Sequence, residues 1–140
     1  MDLNDFSIKV LQEVCRILKE SNKKYDWVGV YVMENRKLKL EAFVGEKTEH
    51  EVINLGDGLC SLAVLKNEVV NEYDVKSNPK YLACFPSTQS EIVVPVRYGG
   101  KPIGEIDIDS DTKGAFDKAD EEFLSKVADL IAPLVSSLSL

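Results

Sequence analysis

The chain has 140 residues, 17 of them basic and 24 acidic, for a net charge of −7. That length supplies a single core that needs no staple, and an acidic balance without Lys or Arg runs among aromatics excludes a phosphate-tracking surface, so nucleic acid is not an expected partner. No apolar stretch approaches the ~20 residues that cross a bilayer, and Met1-Asp2-Leu3-Asn4-Asp5 is acidic where a signal peptide is basic, which predicts a cytoplasmic protein with no membrane partner.

Residues 5–20 place Phe6, Val10, Leu11, Val14, Ile17 and Leu18 at helical spacing, with Asn4 or Asp5 as N-cap and Ser21-Asn22 as the stop. From Asp26 the period becomes two. Val28, Val30 and Val32 alternate with Trp27, Gly29, Tyr31 and Met33, and Leu38, Leu40 and Ala42 follow a polar turn, which predicts a hairpin. Gly56-Asp57-Gly58 breaks the chain before a helix carrying Leu59, Leu62, Ala63 and Leu65, with Asp57 as N-cap, and a short strand at Val69-Val70 follows. Asn78-Pro79 reads as an N-cap with proline at the first helical position, opening a short helix that Phe85-Pro86 ends. Glu91 to Arg97 and Pro102 to Asp109 form a second hairpin around Gly99-Gly100. Asp117 caps a long last helix, kinked at Pro133. The whole of 1–140 reads as one α+β domain: a central, mostly antiparallel sheet with the N- and C-terminal helices on one face and a ligand pocket on the other.

Side chains two apart on a strand share a face, so Glu105, Asp107 and Asp109 point one way and Ile106 and Ile108 the other. A two-residue Gly-Gly loop would set Ile92 opposite Asp107 and mix the apolar row with the acidic one. A three-residue loop, Tyr98-Gly99-Gly100, sets Ile92 opposite Ile106 and Glu91 opposite Asp107, and burial favours that loop or an equivalent bulge. Taken alone, the acids describe the solvated face of an acidic protein equally well. Their company argues for more. Trp27 and Tyr31 share a strand face, and an aromatic pair facing Glu91, Asp107 and Asp109 suits a small cationic or zwitterionic ligand.

Three cysteines, an odd number, do not make a disulfide framework and leave redox or nucleophilic chemistry. Cys60 falls in the first turn of its helix, where the dipole favours a thiolate; Cys84 falls at the end of its short helix without that help; Cys15 shares a stripe with Leu11 and Leu18 and reads as a packed core or interface thiol. No Cys/His cluster has zinc spacing.

Asp26-Trp27-Val28-Gly29-Val30-Tyr31, Gly56-Asp57-Gly58-Leu59-Cys60, Tyr81-Leu82-Ala83-Cys84, Ser90 to Pro95 and Gly104 to Ser110 occur in an order and spacing that resembles the free methionine-(R)-sulfoxide reductases, stand-alone GAF-domain enzymes. The resemblance spans about residues 25–130. It implies that Cys84 is the catalytic cysteine and Cys60 a resolving cysteine, and that Trp27, Tyr31, Glu91, Asp107 and Asp109 bind substrate. It implies a thiolate attack that leaves a sulfenic acid, a disulfide, and recycling by a thioredoxin-like reductant, with neither metal nor organic cofactor. The chain departs from the family pattern at His50, in place of a further cysteine, and at Ser61, Tyr81 and Phe85. The alternative reading is a non-catalytic GAF module that binds a small ligand; in either case the apolar first helix makes a homodimer the expected assembly.

Overall fold

The computed structural model describes residues 1–81 and 85–139. Helix α1 covers Leu3–Ser21, followed by strands β1 (Trp27–Glu34), β2 (Lys37–Val44) and β3 (Val52–Asn54). Helix α2 (Gly58–Lys66) leads into β4 (Val70–Glu72), a 3-10 turn at Val75–Ser77, β5 (Ser90–Tyr98), β6 (Lys101–Ser110) and helix α3 (Lys118–Leu138). The six strands make one antiparallel sheet in the order β3-β2-β1-β6-β5-β4. The expected α+β layering is present. Helices α1 and α3 pack their stripes, including Leu11, Cys15, Leu18, Leu124, Ile131 and Val135, against Val28, Val30, Ile92, Val94, Ile106 and Ile108. Helix α2 covers the opposite face, where Leu59, Cys60, Ala63 and Val64 meet Trp27, Tyr31, Leu38 and Val93.

Local details differ from expectation in instructive ways. Asp2, not Asn4 or Asp5, caps α1 by accepting from the Asp5 N–H at 2.9 Å. Asp57 precedes α2 as expected but makes no side-chain cap; Ser61 instead binds the Gly56 N–H and the Asn54 carbonyl, which holds the entry turn. Asp117 and Asp120 form a reciprocal capping box on α3, and the helix runs on through Pro133, which lies on its exposed side. No helix starts at Pro79 among the described residues. Asn78 stabilises a single turn through Lys80 N–H, and the helical turn sits earlier, at Val75–Ser77, where Asp74 accepts from the Lys76 N–H. Strand β3 was not anticipated, because three residues are too few to show a period.

Both hairpins carry one extra residue. In β2 the partner of Val30 is Ala42 while that of Tyr31 is Leu40, so Glu41 is a bulge. The apolar alternation therefore changes face there: Ala42 joins the helix-side core, and Leu38 and Leu40 join the α2 side. In the second hairpin Gly99 and Gly100 have φ of 61° and 78° and form a two-residue left-handed turn, as the Tyr98–Lys101 pairing requires. The three-residue loop is thus replaced by its equivalent, a bulge at Ile103 between the pairs Arg97–Pro102 and Val96–Gly104. Beyond it Ile92 faces Ile108 rather than Ile106, and Glu91 faces Asp109 rather than Asp107. The row parity is the expected one, because burial rejects the alternative, and only the offset changes.

Candidate active site

Three central strands bring nine residues into one array on the α2 side of the sheet. Trp27, Gly29 and Tyr31 of β1 face Asp109, Asp107 and Glu105 of β6, which in turn face Glu91, Val93 and Pro95 of β5. All four carboxyl residues are buried: Glu105 is 0% exposed, Asp107 1%, Asp109 2% and Glu91 4%. The solvated-face reading of these acids is thereby excluded. Burial pushes the Glu105, Asp107 and Asp109 carboxyls above their ordinary values, and the charge of Asp107 adds to the effect on Glu105 and Asp109. Glu91 lies beside both aspartates and offsets part of that shift. Neither oxygen of Glu105 or Asp109 has a well-formed hydrogen bond among the described residues.

Cys60 enters this layer from the first turn of α2 and donates to Asp107 Oδ2 at 3.4 Å. The thiolate expected from the helix dipole is not favoured here. Burial raises the thiol well above its ordinary value, and Asp107, Glu105 and Glu91 raise it further, so Cys60 is a neutral thiol in this state. Cys15 is likewise fully buried and pushed up to about 12, as a packed core thiol should be. Cys84 lies outside the described residues.

The aromatic residues are fixed by the loop that follows β2. Trp27 donates its indole N–H to the Glu46 carbonyl at 2.9 Å, and its ring stacks on Phe43 and tilts against Phe85 with centroids 5.9 and 6.1 Å away. Gly29 lets the indole lie flat on the strand, since a Cβ there would run into the ring. Tyr31, 0% exposed, donates to the His50 carbonyl at 2.7 Å. Trp27, Phe85, Thr88 and Asp109 line a pocket of ≈ 80 Å³, and Tyr31 is not among its lining residues. That volume is small beside the ~300 Å³ typical of a ligand pocket. The roomier groove of ≈ 500 Å³ between the ends of α1 and α3 holds Asp117 and Asp120, whose carboxylates are already committed to capping.

Two contributors escaped the sequence reading. Glu105 stands in the acidic row, where its i, i+2 spacing is the signal for it, and Phe85 reads from the sequence as a helix stop and a departure from the family pattern, with no signal of its contact with Trp27.

The family model for the GAF domain matches residues 2–136. The chain belongs to the GAF domain family. Within that family it is 41% identical over 110 residues to a free methionine-R-sulfoxide reductase of Saccharomyces cerevisiae, covering 76% of this chain and 61% of the other. It is 33% identical over 120 residues to the Escherichia coli enzyme of that name, covering 86% and 72%. The structure of type II free methionine-R-sulfoxide reductase from Thermoplasma acidophilum superposes with a TM-score of 0.98 at 73% identity, over 99% of each chain. That of the Neisseria meningitidis enzyme in complex with its substrate gives 0.87 at 31%, over 94% and 78%. The resemblance read from the sequence motifs therefore stands, and this GAF domain falls beside the free methionine-R-sulfoxide reductases. No described helix is long and apolar enough to cross a membrane.

Proposed function

We propose that this GAF domain is a thiol-dependent oxidoreductase that reduces free L-methionine-(R)-sulfoxide to methionine. The observation that carries the reading is the buried carboxyl row held above its ordinary ionisation range next to a cysteine. Sulfoxide reduction by a thiolate needs a proton delivered to oxygen as the S–O bond breaks, and a carboxyl kept protonated near neutrality is suited to give it.

In this reading Cys84 attacks the sulfoxide sulfur as a thiolate, and Glu91, Asp107 or Asp109 protonates the oxygen. Methionine leaves, and oxygen remains on Cys84 as sulfenic acid. The Cys60 thiol then attacks that sulfur, releasing water and forming a disulfide, which a thioredoxin-like dithiol reduces. Cys60 must lose its proton in that step, and the carboxylate of Asp107 already accepts its hydrogen bond. Trp27 and Tyr31 wall the substrate, and the ionised members of the acid cluster hold its ammonium group. Exposed Leu3, Phe6 and Ile17 on α1 support pairing of two copies through that helix.

The test is methionine release from racemic free methionine sulfoxide with dithiothreitol, resolving the epimer left behind. Selective loss of the R epimer, abolished in Cys84→Ser, is expected. No turnover by folded, fully reduced protein would overturn the reading in favour of a non-catalytic ligand-binding module.

A further inference from the structure

Three donors from separate elements meet in one corner of the acid array. Cys60 Sγ from α2 and one carboxylate oxygen each from Glu91 on β5 and Asp107 on β6 all lie within 4.8 Å of one another. All three residues are buried. The separation of Cys60 Sγ from Asp107 Oδ2 is 3.4 Å. A tetrahedral zinc ion with a thiolate at ~2.3 Å and a carboxylate oxygen at ~2.0 Å holds those two atoms roughly 3.5 Å apart, so one edge of the polyhedron already has its length.

Glu105 supplies a second observation. It is 0% exposed, neither of its oxygens has a well-formed hydrogen bond among the described residues, and it acts on the same Cys60 thiol. A buried carboxyl whose one polar neighbour on this side is a neutral thiol is poorly compensated, and a cation beside Cys60 compensates it better.

We propose that Cys60, Glu91 and Asp107 form a binding site for a soft divalent cation of the zinc class, with Glu105 as a neighbouring third carboxyl. The sulfur donor selects this class. Calcium takes six to eight oxygen ligands and magnesium keeps several waters in an octahedron, and neither fits a buried corner of one sulfur and a few oxygens. Binding forms a metal–sulfur bond and releases to solvent the thiol proton and whatever proton the ligating carboxyls hold, with no change of oxidation state. A bound cation also removes Cys60 from any disulfide chemistry; that consequence rests on the proposed reductase activity, whereas the site does not.

The test is titration of the full, reduced chain with cadmium, read by the ultraviolet thiolate-to-metal charge-transfer absorption. One equivalent per chain is expected, with the band lost in Cys60→Ser and kept in Cys15→Ala and Cys84→Ser. Zinc in competition with a chromophoric chelator should bind Asp107→Asn ~10-fold or more weakly, since losing a ligand costs at least what losing an outer-shell partner does. In the unmodified protein, zinc should protect Cys60 from alkylation in peptide maps, a readout independent of whether the variants fold. Absence of a band in folded reduced protein, a band that survives Cys60→Ser, or one that disappears in Cys84→Ser would overturn the proposal. Cadmium binding at Cys60 without sulfoxide reduction would leave the site standing and refute the activity; reduction without metal binding would do the reverse.

Discussion

Glu91 and Asp109 stand directly opposite one another on adjacent strands, both buried. Like charges so placed are unfavourable, so this face is most stable when it holds protons. Burial, the leading cause, raises the Glu105, Asp107 and Asp109 carboxyls in the folded chain, while in the unfolded chain such groups ionise near pH ~4. Above that pH the folded state binds more protons than the unfolded one, and the cluster's contribution to stability declines as pH rises toward the raised values. Urea midpoints measured from about pH 4 upward should register that decline. Glu105→Gln should flatten it while leaving the acid end little changed; an unaltered slope would show that Glu105 is not one of the proton-holding groups.

Cys60 should react slowly with iodoacetamide in the reduced protein, because its thiol is buried and Asp107 heads the charges that disfavour ionisation. Asp107→Asn removes that charge and should speed Cys60 alkylation severalfold at fixed pH, as measured by peptide mapping. Equal rates would mean that access, not charge, limits the thiol.

Trp27 is the only tryptophan, so its fluorescence reports on the pocket alone. Gly29→Ala drives a methyl group into the indole and should destabilise the fold by about 1–3 kcal/mol, with a shifted emission spectrum. On the proposed substrate KM should rise more than kcat falls, since the ring forms a wall and carries no proton. Calorimetry together with steady-state kinetics separates the two effects.

Cys15 packs in the helix-side core, 0% exposed. Cys15→Ser places a hydroxyl among apolar side chains and should cost about 1–3 kcal/mol. Methionine sulfoxide turnover per folded molecule should stay unchanged. A loss of turnover would give this thiol a part in the chemistry that its position denies.

The layers of the fold were legible because period-two and helical patterns are strong in β1, β6, α1 and α3. The clustering of Glu91, Asp107 and Asp109 followed from parity alone, since any register that buries Ile92 with its own kind puts those acids on one side. The offset was not legible: Ile103 as an extra residue depends on how the Gly99-Gly100 turn twists the strands. The state of Cys60 was misread for a related reason. A helix start argues for a thiolate, but burial first and then three carboxyls from strands far along the chain argue against it more strongly, and both are tertiary facts. A zinc-class donor set divided among α2, β5 and β6 has no sequence spacing to recognise. Strand β3 and the contact of Phe85 with Trp27 left no pattern at all.

The extra residue Glu41 has a consequence for how the first hairpin reaches its partners. On one side of it Leu38 and Leu40 must face α2; on the other Ala42 must face α1. A slip by one position would send Lys37 or Lys39 into an apolar layer on one side and strip Ala42 from its own on the other. Mispaired hairpins are thus penalised from both directions at once, and the strand has a single alignment that satisfies its neighbours. The bulge acts as a latch on register, restraining a strand that would otherwise be free to shift.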